Sequence, residues 1–249
     1  LKSAFKRHCA EKKLHINESQ IQTIDLLSNF YNKNQLNLFN LFGLLNSDFK
    51  KKAFYLRGDV GVGKTMILDF FFKHLNISKQ RFHFNEFMIN FHNFRHEREK
   101  RGSSNYIEVF VKELKKKYKL IYLDEFQVTN IVDAMILGKL FEIIIKENIL
   151  IVITSNTEIK DLYKDGLQRE QFLHFISLIK NFSIEHELII DEDYRKTGLD
   201  KLERFFFPLN EKTNFKINQI FRELTKNKKL SSHKVLVKGR EFLIKNFYE

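Results

Sequence analysis

Residues 58–65 read Gly-Asp-Val-Gly-Val-Gly-Lys-Thr and put three of the chain's nine glycines within six positions, between the apolar run AFYLR (53–57) and KTMILDFFFKHL (64–75). Glycine lets the backbone turn tightly with its N–H groups facing inward, and the start of a following helix adds its own unpaired N–H groups. The pattern G-x-x-x-x-G-K-T between a strand and a helix is therefore a phosphate-binding loop. Gly58, Asp59, Val60, Gly61, Val62, Gly63, Lys64, Thr65 and Met66 are the candidate nucleotide-binding residues. In that role Lys64 puts a cation on the β and γ phosphates, and the Thr65 hydroxyl is a ligand for Mg2+.

Such a loop needs an acid at the tip of another buried strand, and LIYLDE (120–125) supplies two. Asp124 is the candidate to hold the metal through water, and Glu125 to polarise an attacking water. An acid pair there favours hydrolysis over transfer to a small molecule. A third strand, ILIVIT (149–154), runs into Ser155 and Asn156. Asn156 is placed to hydrogen-bond the γ-phosphate or the water, although Ser-Asn after a strand is also ordinary turn chemistry.

Strand-length apolar runs recur at 53–57, 81–84, 120–124, 149–154 and 183–190, separated by helical patterns. This alternation predicts a parallel sheet, and the near-continuous apolar strands predict helices on both of its faces. The expected fold is α/β, a P-loop NTPase core at 41–195 behind an N-terminal helical segment at 1–40. Within that segment Asn17 and Gln20 have the spacing of a capping box. The pattern changes near 193–214, where Gly198 and the only proline, Pro208, precede a smaller α+β region at 196–249.

With 249 residues and 43% hydrophobic content, the chain can bury a substantial core. No apolar run reaches the length of a membrane helix, the N-terminus has no signal-peptide core, and Cys9 is the only cysteine, so a reducing cytoplasm is expected. The net charge of +12 invites a nucleic-acid partner. No stretch joins basic residues to an aromatic stacking platform, however, and the charge reads better as lysine spread over solvated helix faces. His92 and His96 share a helix face, and with His83 they suggest a metal, but no glutamate follows His92 as a zinc protease motif needs. The aromatics of FHFNEFMINFH and Phe126 read as packing residues.

The three motifs, in this order and spacing, resemble those of AAA+ ATPases. The segments LDEFQVTNIVDAMIL and LYKDGLQREQFL narrow the resemblance to the ZapE and AFG-one-like ATPase family, with further matches at RFHFNEFMINFH and DYR and looser ones at FPLNEKTN and VKGRE. The resemblance implies ATP and Mg2+ as cofactors and hydrolysis of ATP. It also implies a homo-oligomeric ring working on a protein client, which in bacteria is the FtsZ ring of cell division at the inner membrane, with peripheral membrane association. A nucleic-acid-linked ATPase of the helicase-loader type is the alternative, and a nucleotide-gated scaffold with little turnover a third. Family members continue past the GR element, so region 196–249 is expected to be incomplete. Arg169, in the stretch where such proteins present an arginine to a neighbour's ATP, is the candidate finger, followed by Arg195 in DYRK.

Overall fold

A computed structural model describes residues 1–12, 14, 16–39, 51–100, 105–190, 208, 210–225, 231–237 and 240–247. The chain divides into two compact units, Leu1–Tyr194 and Arg195–Glu249. Arg195 and Gly198 lie outside the described residues.

The first unit is built on five strands, β1 (Ala53–Arg57), β2 (Lys79–His83), β3 (Leu120–Asp124), β4 (Leu150–Ser155) and β5 (Ser183–Glu187). They pair in the order β2-β3-β4-β1-β5, and every pairing is parallel. Because side chains alternate across a strand, each central strand feeds two cores. Tyr55, Leu123 and Ile153 enter one cluster with α4 (Phe84–Lys100), α5 (Tyr106–Lys117), α6 (Ile131–Lys146) and α7 (Arg169–Phe182). Phe54, Tyr122 and Val152 enter the other with α1 (Lys2–Glu11), α2 (Glu18–Phe39) and α3 (Lys64–His74). The fold is thus the expected parallel α/β sheet covered on both faces. Among the described residues, no helix is long and apolar enough to cross a membrane.

Two local expectations shift. The run at 81–84 is a strand only to His83, while Phe84 opens α4 and is 1% exposed. β2 is an edge strand with only partial burial, so its apolar pattern is weak. The helix α1 falls within the segment expected to be helical, 1–40, but has no pattern that gives its bounds, because just Phe5 and Cys9, four residues apart, turn inward from an otherwise polar segment. Phe5 meets Phe70 of α3 edge-on at 5.0 Å between ring centroids. Among the aromatics read as packing, Phe84, Phe87, Phe91 and Phe126 are all buried, and Phe126 lies 4.4 Å from Phe84 and stacks on Phe175 at 5.9 Å.

The start of α2 is fixed from two sides. Asn17 Oδ1 accepts from the Ser19 N–H at 2.9 Å and Gln20 Oε1 accepts from the Asn17 N–H at 3.4 Å, which is the reciprocal pattern of a capping box. One turn on, the Thr23 hydroxyl donates to Ser19 O at 2.7 Å, so the 2.9 Å contact between Thr23 Oγ1 and His186 on β5 has His186 Nε2 donating. Burial, acting against the charge of Glu187, lowers the His186 pKa, so the ring is neutral at neutral pH.

In the second unit, α8 (Glu211–Thr225) begins at Asn210, whose Oδ1 accepts from the Thr213 N–H at 3.0 Å. A hairpin follows, with β6 (Ser231–Val237) antiparallel to β7 (Arg240–Phe247).

Candidate nucleotide-binding and hydrolytic site

The strand order decides what meets at the carboxyl ends of the strands. β4 lies between β1 and β3, so the loop after β1, the end of β4 and the acids of β3 are neighbours although they are far apart in sequence. Gly58, Asp59, Val60, Gly61, Val62 and Gly63 leave β1, and Lys64, Thr65 and Met66 form the first turn of α3. Asp59 and Val60 are exposed, whereas Val62 is buried and anchors the loop in the core. Gly63 caps α3 in the left-handed region at φ 87° and no side chain caps the helix, which leaves its first N–H groups for an anion.

Gly58 is required for a separate reason. A Cβ there would lie 2.6 Å from the Leu188 carbonyl oxygen and 3.2 Å from Val62 Cγ2. The Leu188 N–H is in turn bonded to Arg57 O at 2.8 Å, so the obstruction is backbone that cannot swing aside. Gly58→Ala is expected to cost about 2 kcal/mol and to lower the melting temperature by roughly 5 °C. A variant melting with the wild type in a thermal scan would contradict that close contact.

Lys64 Nζ donates to Gly58 O at 2.6 Å, Asp59 O at 2.8 Å and Asn156 Oδ1 at 2.8 Å. The ammonium can only donate, so the Asn156 amide is oriented with its oxygen on Lys64 and its NH2 free to face an anion. The structure therefore brings Lys64 and Asn156 into direct contact across 92 residues of sequence.

Asp124 is 3% exposed and accepts hydrogen bonds on both of its oxygens. Its Oδ1 accepts from Tyr122 OH at 2.9 Å, from the Glu125 N–H at 3.1 Å and from the Thr154 hydroxyl, while Oδ2 accepts from Arg81. Burial alone would raise the Asp124 pKa, but the hydrogen bonds from Thr154, Arg81 and Tyr122 and the charge of Arg81 outweigh it and leave it lowered. The carboxylate is thus held ionised. Burial and the neighbouring Asp124 charge push the Tyr122 phenol well up, so it stays a donor.

Glu125 takes a left-handed backbone conformation, φ 55°, rare for a residue with a side chain. Its N–H is held by Asp124 Oδ1 and, at 3.1 Å, by Thr154 Oγ1, and the next N–H, of Phe126, donates to Thr154 O at 2.8 Å. These bonds aim the carboxylate outward, 82% exposed, with Oε2 3.9 Å from His83 Nδ1.

Mg2+ fits this donor set. The Thr65 hydroxyl and the ionised Asp124 are hard oxygen donors, and Asp124 Oδ2, with one donor already on it, keeps a lone pair for a metal-bound water. The histidines do not assemble. His83 ends β2 beside Glu125, and His92 is bound at 2.6 Å to Asp133, itself part of the Asn130 cap of α6. Among the described residues, no group of three or more His, Cys, Asp or Glu is arranged to hold a metal.

Arg169 is engaged away from these residues. It opens α7, its Nη2 donates to Lys160 O at 2.6 Å, and its Nε is buried without a partner. The ion pairs with Glu170 or Asp165 that sequence proximity suggests give way to this carbonyl bond.

Sequence reasoning passed over Arg81, Thr154, Tyr122 and the contact of His83 with Glu125. Arg81 joins Asp69 of α3, at 2.8 Å, to Asp124, and its guanidinium lies 5.2 Å from the Tyr122 ring centroid. It opens the matched stretch RFHFNEFMINFH, but its place at the site comes from strand register, since Arg81 stands opposite Tyr122 and His83 opposite Asp124 in the β2-β3 pairing.

The chain is 35% identical over 203 residues to lactation elevated protein 1 homolog B of Danio rerio, covering 76% of this chain and 40% of that protein. It is 32% identical over 182 residues to cell division protein ZapE of Escherichia coli K12, covering 73% and 48% respectively. The chain thus spans less than half the length of these relatives. Among solved structures, AMPPCP-bound DnaA from Aquifex aeolicus matches with a TM-score of 0.49 at 16% identity, over 87% of this chain and 64% of that one. The sequence profile described as AFG1-like ATPase matches residues 1–247, and on that near-complete match this chain belongs to the AFG1-like ATPase family.

Proposed function

We propose that the protein hydrolyses ATP with Mg2+ and couples that hydrolysis to the remodelling of a protein client in a homo-oligomer. The observation that carries the hydrolytic reading is the outward, 82% exposed carboxylate of Glu125, next to the ionised, buried Asp124 and one strand away from the Lys64–Asn156 contact at the loop mouth. A cradle alone would serve binding, whereas a cradle with an outward carboxylate next to it serves attack by water.

In this reading the N–H groups of Gly61 to Met66 and the Lys64 ammonium bind the triphosphate. Thr65 and Asp124 would hold Mg2+, which when bound would neutralise phosphate charge. Glu125 takes a proton from the attacking water, and the Asn156 NH2 donates to the γ-phosphate as charge develops there. Release of phosphate by the purified chain, abolished by a chelator and restored by Mg2+, is the direct test. A chain that binds ATP without measurable turnover would be a scaffold instead.

The client-remodelling part rests on family membership and on the relative named as a cell division protein. FtsZ, a ring assembly, peripheral membrane association and a cytoplasmic location belong to this proposal. So does Arg169 as a residue acting on a neighbouring subunit's ATP, for which its carbonyl-bound guanidinium would have to exchange Lys160 O for phosphate. Mixing Arg169→Ala with Lys64→Ala, each nearly inactive alone, is expected to restore activity, because some interfaces then join an intact loop to an intact arginine. An Arg169→Ala variant as fast as the wild type, or mixed assemblies that stay inactive, would remove Arg169 from the site.

A further inference from the structure

Gln20 is 1% exposed, an unusual state for a glutamine, and it sits beside the phosphate loop. Its Nε2 lies 3.3 Å from where a Cβ of Gly63 would be, and Met66 Cε lies 3.7 Å from the same point. The capping box uses only its oxygen, which accepts from the Asn17 N–H. Among the described residues the amide nitrogen makes no hydrogen bond, and since it is not one of the fully buried unpartnered atoms, the small remaining exposure of this side chain lets it face a ligand at the loop.

The direction of the loop says what that donor faces. Lys64 Nζ, on Gly58 O, Asp59 O and Asn156, marks the γ-phosphate end of a bound triphosphate. The opposite end, where the α-phosphate carries the sugar and base, belongs to Gly63 and Met66. Ile16 and Met66, both partly buried, pack on the same apolar cluster and supply the apolar surface that a base needs. The capping box and the Thr23 contact with His186 hold this turn of α2 in place without engaging the amide nitrogen.

We propose that Gln20 binds the nucleoside of the nucleotide, its amide N–H donating to a ring-nitrogen acceptor of the purine. This rests on the nucleotide-site reading above and adds the residue that distinguishes ATP from a bare polyphosphate.

The test compares dissociation constants for ATP and for inorganic tripolyphosphate, both with Mg2+, on the full chain by calorimetry. In Gln20→Leu the preference for ATP over tripolyphosphate is expected to fall about tenfold, the worth of one hydrogen bond to a ligand, with tripolyphosphate binding unchanged. Gln20→Glu keeps the capping acceptor for Asn17 and so guards against failure of the first variant to fold. Its carboxylate repels both anions alike, so the ratio again isolates the lost donor and should fall similarly. An unchanged ratio in either folded variant, or equal weakening of both ligands in Gln20→Leu, overturns the proposal and leaves the site reading intact. A wild-type chain that binds neither ligand overturns both.

Discussion

Lys64→Ala is expected to leave the protein folded and to weaken ATP binding by at least about a hundredfold. The side chain is partly exposed, and its amine is bound to two loop carbonyls and to Asn156, not to the core. Its loss removes charge-assisted hydrogen bonds to the β and γ phosphates, each worth about 1.5–3 kcal/mol, so two of them account for the effect. These contacts tie the side chain to the loop and not to the core, which is why their loss costs little stability. Calorimetric titration with ATP, beside a thermal melt, checks both halves. Tight binding by a folded variant would show that the loop is not the phosphate site.

Glu125→Gln is expected to do the reverse, keeping ATP and Mg2+ bound while hydrolysis falls by roughly 10²- to 10⁴-fold, the range for a positioned general base. The structure makes this a clean substitution. The left-handed backbone at 125 is held through the N–H groups of Glu125 and Phe126, not through the side chain, and the side chain is 82% exposed. The melting temperature should therefore stay within a degree or so of the wild type, as for most exposed substitutions. Single-turnover phosphate release at saturating ATP measures the chemical step alone. A variant that hydrolyses ATP normally would place the base elsewhere, and His83, 3.9 Å from the carboxylate, would be examined first. If the step is lost as expected, the same variant held in ATP provides a trap with which the proposed client can be sought.

Much of the site was legible because its chemistry is local. A glycine pattern followed by Lys-Thr between a strand and a helix carries its own geometry, so Gly58 to Met66 needed no knowledge of the rest of the chain. Asp124, Glu125 and Asn156 stood out as polar residues ending apolar strands. Arg81 was not singled out although it opens the matched stretch RFHFNEFMINFH, since it lies on a partly buried edge strand whose apolar pattern is weak. Gln20 was read for its capping oxygen alone, because spacing reports the helix end and not what the other half of the amide faces. The bounds of α1, inside the segment expected to be helical, were not legible because two inward residues in ten do not make a periodic stripe.

The sequence by itself determined the element types, the parallel sheet and the phosphate loop, since alternation, apolar runs and turn residues act within a few residues of one another. The tertiary structure alone decided which strand ends are neighbours. Insertion of β4 between β1 and β3 sets Asn156 against Lys64, and pairing of β2 with β3 sets Arg81 and His83 against Asp124 and Glu125. The physical reason is that strand order follows from how the helices bury both faces of the sheet together. That burial is shared across the whole unit and leaves no mark on any single stretch of sequence.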